Sequence, residues 1–343
     1  MEFKVLDENF SLLSLLAPTS VQWDRKYYEP GKFMIEIEAS QYVTGMKYIY
    51  CTERPEVGMI QKISWERKNS GKMIELSGFF LEKWLDDRII YPTFYGRGET
   101  LSILTNMINQ YKEDIPITVS APSITGDDID FQSTGDELAT KLYEILETQE
   151  MSYRITYDYE NDELSLEFFK GKDMTQESGG DNFVTFSTSW GNLQDPLIDI
   201  DDSNYKNFFI VAGTGEAEER ITVEVDLSNG AYKKKAFLDK RNTKYDSAEQ
   251  TLDEYKAELK QASLEEALDY QKEENISFTI VPEGYEYMVD YDIGTKVDAV
   301  IEDLQMSFSM RITEIHEVFE KGAHEIEIEV GTPIKNNYRN IRI

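Results

Sequence analysis

The sequence predicts a mainly β protein in which two related β-barrel domains flank a small α+β insertion domain and share the chain with one long helix. Three observations point to this fold class. Two stretches, near residues 70 and 320, alternate apolar and polar side chains, as strands with one buried face do. Between them, apolar residues recur at helical spacing. We therefore expect a first β-barrel domain at residues 1–95, an α+β insertion domain at 96–195 and a second β-barrel domain at 196–343.

The clearest strand pair lies within residues 285–333. From 325 to 330, glutamate alternates with isoleucine or valine, and a second alternating run precedes this one. A period of two places successive side chains on opposite faces, so one face of each strand is expected to be buried. Lys321 and Gly322 lie between the runs, where a tight hairpin turn needs positive φ angles. The pattern predicts a β-hairpin of the kind found in barrels and sandwiches.

The same hairpin pattern occurs a second time, earlier in the chain. A shift of 252 positions places Ile60, Ile63, Ile74, Glu75 and Leu76 on Ile312, Ile315, Ile326, Glu327 and Ile328. Gly71 and Gly322 then fall within one residue of each other at the two turns. Any amphipathic hairpin could share this much of its pattern, so a generic likeness stays open beside a duplication. We adopt the duplication, which predicts two barrels of related fold.

The strand signals continue through residues 1–95. Apolar and polar residues alternate in 33–39, and further strands are expected at 46–51, 58–66 and 72–79. Turns that contain proline or glycine separate these runs. The first domain is therefore expected to be built almost entirely of strands.

Residues 96–195 have a mixed pattern. Apolar residues recur at helical spacing in 100–112, and strands are expected at 151–157 and 163–169. A further helix is expected to bury four apolar side chains, namely Leu138, Leu142, Ile145 and Leu146. A small α+β unit between two β-rich regions is most simply an insertion domain.

The second β-rich region also contains the longest predicted helix. Strands are expected at 205–212, 220–227 and 233–238. Ser247, with Gln250 three positions later, is a helix-start signature, because the two side chains can satisfy backbone donors that have no partner in the first turn. The helix is expected to run from about 247 to 274.

The net charge argues against nucleic-acid binding through a basic groove. The sequence has 66 Asp and Glu residues against 35 Lys and Arg residues, which gives a net charge of −31. Such a surface repels phosphate, so nucleic-acid binding through a basic groove is not expected. Aromatic residues make up 12% of the chain and are spread along it, so the acidity is not a sign of disorder.

Signals for disulfides, export and membrane insertion are missing from the sequence. Cys51 is the only cysteine, which excludes a disulfide framework and a thiolate metal cluster. The N-terminal residues lack the basic flank of a signal peptide, and no run approaches the roughly twenty apolar residues of a membrane span. We expect a soluble protein that is made in the cytoplasm.

The candidate metal sites each have a simpler interpretation. His316 and His324 flank a hairpin turn with no third ligand nearby, so a zinc site is not expected. Asp199, Asp201 and Asp202 could hold calcium, but the glycine and the closing glutamate of a calcium-binding loop are missing. A solvated turn is the preferred interpretation of these aspartates.

The sequence contains no specific catalytic motif. Gly213-Thr214-Gly215 lacks the lysine of a phosphate-binding loop and is interpreted as a hairpin turn. Carboxylate pairs are expected by chance among so many acidic residues, and no serine lies in a G-x-S-x-G turn. The residues predict no catalytic group, no cofactor and no metal ion, and we expect the protein not to be an enzyme.

Several short motifs occur together in a fixed order. They are Gly78 followed by Trp84-Leu85-Asp86-Asp87-Arg88-Ile89-Ile90, residues 202–207 before an apolar strand and 213–215, residues 238–241 before the long helix, Tyr291-Asp292 with Gly294, Arg311-Ile312-Thr313-Glu314-Ile315, and a strand that closes on Gly331. Together they resemble tail-hub proteins of long-tailed bacteriophages over nearly the whole chain. They do not separate a siphophage tail tip from the hub of a contractile tail or of a tail-derived particle.

The resemblance implies a structural role in the virion tail. In that family each subunit has two barrel domains, and three subunits form a ring of six barrels, so that a threefold tip docks on a hexameric tail tube. It implies a homotrimer that contacts tail-tube, distal-tail and tip proteins and is assembled in the bacterial host cytoplasm. DNA would pass through an acidic channel without stable binding, and the insertion domain would contact other baseplate proteins.

Two other classes of function stay open. One is a cell-wall- or polysaccharide-degrading enzyme with β domains, which turnover of peptidoglycan by the purified protein would favour. The other is a carbohydrate-binding tail module, which glycan binding by the monomer would favour. Because the chain ends at Ile343 without an appended lysin or peptidase domain, enzymatic activity known in longer relatives is not expected here.

Overall fold

The structure, a computed structural model, describes residues 2–68, 71–180, 182–216, 219–248, 250–281 and 284–331. Within these residues the chain forms mostly β-strands, together with three α-helices and several short 3-10 turns. The mainly β fold class with an α+β part is therefore confirmed. Among the described residues, none of the helices has the length and apolar character that a membrane crossing requires.

Eight strands form among the residues before position 80 that the structure describes. They are β1 (Phe3–Leu6), β2 (Leu12–Leu16), β3 (Ser20–Lys26), β4 (Lys32–Glu38), β5 (Tyr48–Cys51), β6 (Val57–Met59), β7 (Lys62–Lys68) and β8 (Gly71–Phe79). One antiparallel set has the order β2-β1-β5-β6 and the other the order β3-β4-β8-β7. Alternation turns every second side chain inward, so Val5 and Ile49 of the first set share a core with Trp23, Phe33 and Ile35 of the second.

The middle of the chain is the α+β part. Its elements are β9 (Phe94–Glu99), α1 (Thr100–Tyr111), β10 (Ile117–Val119), β11 (Asp128–Ser133), α2 (Leu138–Glu147), β12 (Ser152–Asp158) and β13 (Glu163–Phe169). Both predicted helices and both predicted strands are confirmed. Glu99 caps α1, because its carboxylate accepts hydrogen bonds from the backbone nitrogens of Leu101 and Ser102 at 3.1 and 2.7 Å.

The last part returns to strands. Its elements are β14 (Thr185–Ser187), β15 (Leu193–Asp201), β16 (Phe208–Ala212), β17 (Thr222–Asp226), β18 (Lys235–Asp239), α3 (Leu252–Ala267), β19 (Glu273–Ile280), β20 (Lys296–Ile301), β21 (Met306–Glu320) and β22 (Ala323–Gly331). The sheet β17-β16-β18 packs with α3 around its own small core, which includes Phe209, Tyr255 and Leu259. The other strands of this part surround a separate core.

One continuous sheet runs through both β-rich regions. Its main path has the strand order β15-β19-β22-β21-β3-β4-β8-β7, and β20, which also pairs with β14, joins the sheet beside the first part of β21. The two halves of this path have the same connectivity. In the first half β3 and β4 are neighbours, and β8 lies between β4 and β7. In the second half β15 and β19 are neighbours, and β22 lies between β19 and β21. Every neighbouring pair along this path is antiparallel.

The two hairpins of this sheet agree in register as well as in order. Ile63 lies opposite Leu76 on β7 and β8, and Ile315 lies opposite Ile328 on β21 and β22. Both members of the second pair follow those of the first by 252 positions. The same offset relates every β7–β8 pair to a β21–β22 pair. The duplicated hairpin predicted from the sequence is confirmed.

The expectation of two closed barrels is wrong. Within the described residues, β7 pairs with β8 alone and β15 with β19 alone, so both ends of the long sheet are open. The strands β3 and β21, which would need to close their own halves, pair with each other instead. Alternation predicts which face of a strand is buried but carries no information on which strand lies at its edge.

The long helix is shorter than expected and begins later. It spans Leu252–Ala267, and Thr251 is its N-cap. Glu254 Oε2 accepts a hydrogen bond from Thr251 N at 2.6 Å, and Thr251 Oγ1 accepts one from Glu254 N at 3.3 Å. Thr251 and Glu254 thus form the reciprocal capping pair that had been expected at Ser247. The predicted end at 274 is also wrong, because residues 273 and 274 belong to β19.

Candidate assembly interface

The two halves of the long sheet meet at the antiparallel ladder between β21 and β3. The ladder runs from Glu314 opposite Lys26 to Glu320 opposite Ser20. On the core side of β3, Trp23 is fully buried and Arg25 is 1% exposed. A buried guanidinium loses its hydration, so it needs charged or hydrogen-bonding partners to remain stable.

Partners from both halves of the molecule surround Arg25. Its Nε donates to Glu56 Oε1 at 2.7 Å, and its Nη1 donates to Tyr287 Oη at 2.9 Å and to Asp292 Oδ1. Burial alone would lower the pKa of Arg25, but Glu56, Tyr287 and Asp292 together raise it well above its usual value. The guanidinium therefore stays charged and joins the two halves on their core side.

Glu317 is the buried carboxylate of the same junction. It is 0% exposed and accepts hydrogen bonds from Arg54 Nε at 2.8 Å, from Tyr287 Oη at 3.0 Å and from His324 Nε2 at 3.2 Å. Burial opposes its ionisation, but the hydrogen bonds from His324 and Arg54 lower the pKa of Glu317 to about 2. Glu317 on β21 and Arg25 on β3 are thus both buried charges with partners of opposite charge, and both contact Tyr287.

The opposite face of the ladder has a second row of ionic contacts. His316 Nδ1 contacts Asp24 Oδ1, and Lys26 Nζ lies 3.2 Å from Glu314 Oε2. The hydrogen bond to Asp24 raises the pKa of His316 above its usual value of 6.5. Opposite charges that face each other across two strands stabilise one register over others. The internal junction is therefore fixed by charge on both faces.

Both histidines considered as metal ligands contact carboxylates within this junction. His316 contacts Asp24, and His324 contacts Glu317 while its ring stacks on Phe319 at a centroid distance of 4.0 Å. In the part of the chain that the structure describes, no group of three or more His, Cys, Asp or Glu side chains is placed to hold a metal ion.

The acidic segment after residue 198 is a strand where a turn had been expected. Asp199 and Asp201 belong to β15 and lie opposite Asn275 and Glu273 of β19. The interpretation as a solvated turn is wrong for these two residues, because their alternation with Ile198 and Ile200 is the strand signal. Asp202 lies just after the strand. Residues 213–215, interpreted as a hairpin turn, begin the segment that links β16 to its antiparallel neighbour β17.

The two open edges carry exposed apolar side chains. On β7, Ile63 is 45% and Trp65 is 60% exposed, and on β15, Leu197 is 68% and Ile200 is 39% exposed. An edge strand also presents N–H and C=O groups that can pair with a further strand. Exposed apolar side chains along an open edge are typical of a surface that another chain covers.

The face of the long sheet that points away from the cores is acidic. Alternation places there a set of carboxylates from both halves, namely Asp24, Glu36, Glu75, Asp199, Asp201, Glu314, Glu327 and Glu329. Burial and the neighbouring Glu314 raise the pKa of Glu329 to about 7, as expected where carboxylates crowd together. The sheet thus has an apolar side and a strongly anionic side.

Solved structures of phage tail proteins have the same fold. The tail protein from Neisseria meningitidis MC58 aligns with a TM-score of 0.62 and 11% identity over 96% of each chain. The 43 kDa tail protein of prophage MuSo2 from Shewanella oneidensis aligns with a TM-score of 0.60 and 15% identity over 96% of this chain and 98% of that chain. Prophage tail protein gp18 from Listeria monocytogenes EGD-e aligns with a TM-score of 0.60 and 13% identity over 99% of this chain and 97% of that chain.

The sequence itself carries the family assignment. A search of curated proteins finds no match. The family described as Siphovirus ReqiPepy6 Gp37-like protein matches residues 2–332, which is nearly the whole chain. With the tail-protein fold, this match confirms the resemblance to phage tail proteins that the motifs indicate. The chain belongs to the Siphovirus ReqiPepy6 Gp37-like protein family.

Proposed function

We propose that the protein is a phage tail hub, in which three copies form a ring that joins the tail tube to the tail tip. One observation carries this proposal: two four-stranded sheets of the same strand order and hairpin register are joined edge to edge in one chain. A chain with two equivalent halves presents near-equivalent surfaces twice, so three copies present six. A threefold hub needs this property to match a sixfold tube ring.

The open edges support closure of such a ring. β7 is the counterpart of β21 and β15 is the counterpart of β3, so the two open strands correspond to the two strands that pair inside the chain. β7 of one copy can therefore pair with β15 of the next copy as β21 pairs with β3. Three copies of the eight-stranded path would surround a channel with 24 strands.

In this ring the acidic sheet face lines the channel and the apolar cores lie outside it. Carboxylates from both halves would then repeat around the bore. Walls of this charge repel the phosphates of DNA, so DNA would pass through the channel without stable binding.

The rest of the chain would contact other tail proteins. The proposal divides the chain into residues 1–95, 96–195 and 196–343, with the elements from β9 to β13 of the insertion domain at the periphery of the ring. Its partners would be the tail-tube, distal-tail and tip proteins, and the assembled protein would be located in the virion tail. The proposed role is structural and not catalytic, because the family and the similar structures are tail proteins.

The mass of the full chain in solution tests the ring. Sedimentation velocity should give a species of three times 39.8 kDa, alone or after addition of purified tail-tube protein. A circular dichroism spectrum of a mainly β protein controls for folding. A folded chain that stays monomeric under both conditions, or that forms only dimers, would contradict the proposal.

A further inference from the structure

The internal junction supplies a template for the contact between copies. We infer that β7 of one copy pairs with β15 of the next copy in a single register, in which Trp65 lies opposite Ile198 and Lys62 lies opposite Asp201. The inference rests on the proposed ring and names the residues that close it. In this register β7 takes the position that β21 has in the internal ladder, and β15 of the next copy takes the position of β3.

The counterpart of β21 is β7. Because every β7–β8 pair maps onto a β21–β22 pair with an offset of 252, Lys62 corresponds to Glu314 and Trp65 corresponds to Glu317. Ile63 corresponds in the same way to Ile315.

The counterpart of β3 is β15, and their equivalent residues are found from the residues that lie opposite each other on successive strands. In the first half, Gly78 lies opposite Phe33, which lies opposite Trp23. In the second half, the counterpart of Gly78 is Val330, which lies opposite Ile276, which lies opposite Ile198. Ile198 is therefore the counterpart of Trp23.

The internal ladder then gives the register between copies. Glu317 lies opposite Trp23, so Trp65 is expected opposite Ile198 of the next copy. Three neighbouring pairs follow from the same antiparallel ladder, namely Lys62 with Asp201, Ile63 with Ile200, and Ser64 with Asp199.

Side-chain chemistry agrees with this register on both faces of the sheet. On the core side, the exposed Ile63 and Trp65 would cover Ile200 and Ile198, and the positions equivalent to Ile63 and Trp65 in the internal junction are fully buried. On the acidic side, a lysine would face an aspartate. The internal junction has the opposite arrangement there, because Glu314 faces Lys26.

The same chemistry keeps the two kinds of junction apart. Internally, the core side of the ladder is ionic, with Arg25 and Glu317 held by partners from both halves. Between copies it would be apolar. Placing Trp65 opposite Trp23 would separate Arg25 from Tyr287 and Asp292 and would separate Arg54 from Glu317. The loss of these charged contacts disfavours the apolar edge at the internal site and favours its pairing with another copy.

Disulfide trapping in the full-length chain tests the register. We expect the variant Trp65→Cys/Ile198→Cys to form a covalent trimer under mild oxidation, seen on a non-reducing gel. Directly opposed residues have Cα atoms about 4.5–5.5 Å apart, within reach of a disulfide. The control Trp65→Cys/Ile200→Cys is displaced by two positions, about 7–8 Å away, and should give little covalent trimer. Cys51 is buried and stays in both variants.

Charge reversal gives an independent readout. Lys62→Asp places two carboxylates opposite each other and should weaken self-association roughly fivefold, and Lys62→Asp/Asp201→Lys should restore it. If the wild type is trimeric but the displaced cysteine pair cross-links as well as the opposed pair, or the double reversal does not restore association, the register is wrong while the hub proposal stands. A wild type that never forms trimers contradicts both.

Discussion

At the scale of single residues, buried charge defines the junction. Glu317 and Arg25 lie at inward positions next to the buried apolar residues Ile315 and Trp23 of their own strands. Both are ionised because partners from two halves of the chain surround them. Breaking such a pair from one side leaves the other charge buried without compensation.

Glu317→Gln should therefore lower the free energy of unfolding by about 3 kcal/mol at pH 7. The pKa of Glu317 in the folded protein, about 2, is below its usual value of 4.5. Its contribution is present above pH 4.5 and is lost as the pH falls toward 2, so the deficit of the variant should shrink in acid. Urea unfolding at several pH values measures this. The matched control is Glu320→Gln, because Glu320 forms an exposed ion pair with Lys321 and its loss should leave stability unchanged. Equal losses of stability in the two variants would contradict this expectation.

Glu82 should behave in the opposite way. It is 4% exposed, its Oε1 accepts a hydrogen bond from Ile155 N at 2.7 Å, and burial raises its pKa to about 7. Because this pKa lies above the usual 4.5, the contribution of Glu82 to stability is largest in acid and is lost as the pH rises from 4.5 through 7. Glu82→Gln keeps the acceptor without the charge.

The Glu82→Gln variant should match the wild type near pH 5 and exceed it by about 1–3 kcal/mol near pH 8. Urea unfolding at the two pH values checks this difference. A gain of equal size at both pH values, or a loss near pH 8, would show that the carboxylate is not under electrostatic strain.

Sequence patterns predicted the apolar members of the junction but not its charged ones. Ile326, Ile328 and Val330 were expected to be buried from alternation alone, and they are. Arg25 and Glu317 were missed because a charged residue is expected in water unless its partners are known. The available signal was their phase, since each lies two positions from a buried apolar residue of its own strand, Trp23 and Ile315 respectively.

At the scale of elements, local chemistry predicted the hairpin well. Lys321 and Gly322 both have positive φ angles, 53° and 82°, as the two-residue turn between β21 and β22 requires. The helix boundary was predicted less well, because two cap signatures lie four residues apart and sequence alone does not decide between Ser247 and Thr251.

Two alanine substitutions distinguish these starts. Thr251→Ala removes the reciprocal cap and should destabilise α3 by about 1 kcal/mol, while Ser247→Ala should have no effect. Hydrogen exchange of the amide of Tyr255, in the first turns of the helix, reports this locally. Faster exchange in the Ser247 variant alone would show that the helix begins at Ser247, as predicted from the sequence.

At the scale of the whole molecule, the sequence predicted the duplication but not how the halves join. The offset of 252 is visible in the residues because each hairpin is local. The pairing of β3 with β21 brings together residues nearly 300 positions apart, and no local pattern specifies such an edge. The barrels were therefore expected to close within each half, whereas the two halves share one long open sheet with equivalent strands at its ends.

The central claim is that these open ends close a threefold ring. A cryo-electron microscopy map of the purified assembly tests it most directly. We predict three chains around a channel, with β7 of each chain hydrogen-bonded to β15 of the next and the acidic sheet face toward the bore. A map in which both edges stay unpaired, or in which the apolar cores face the channel, would contradict the account.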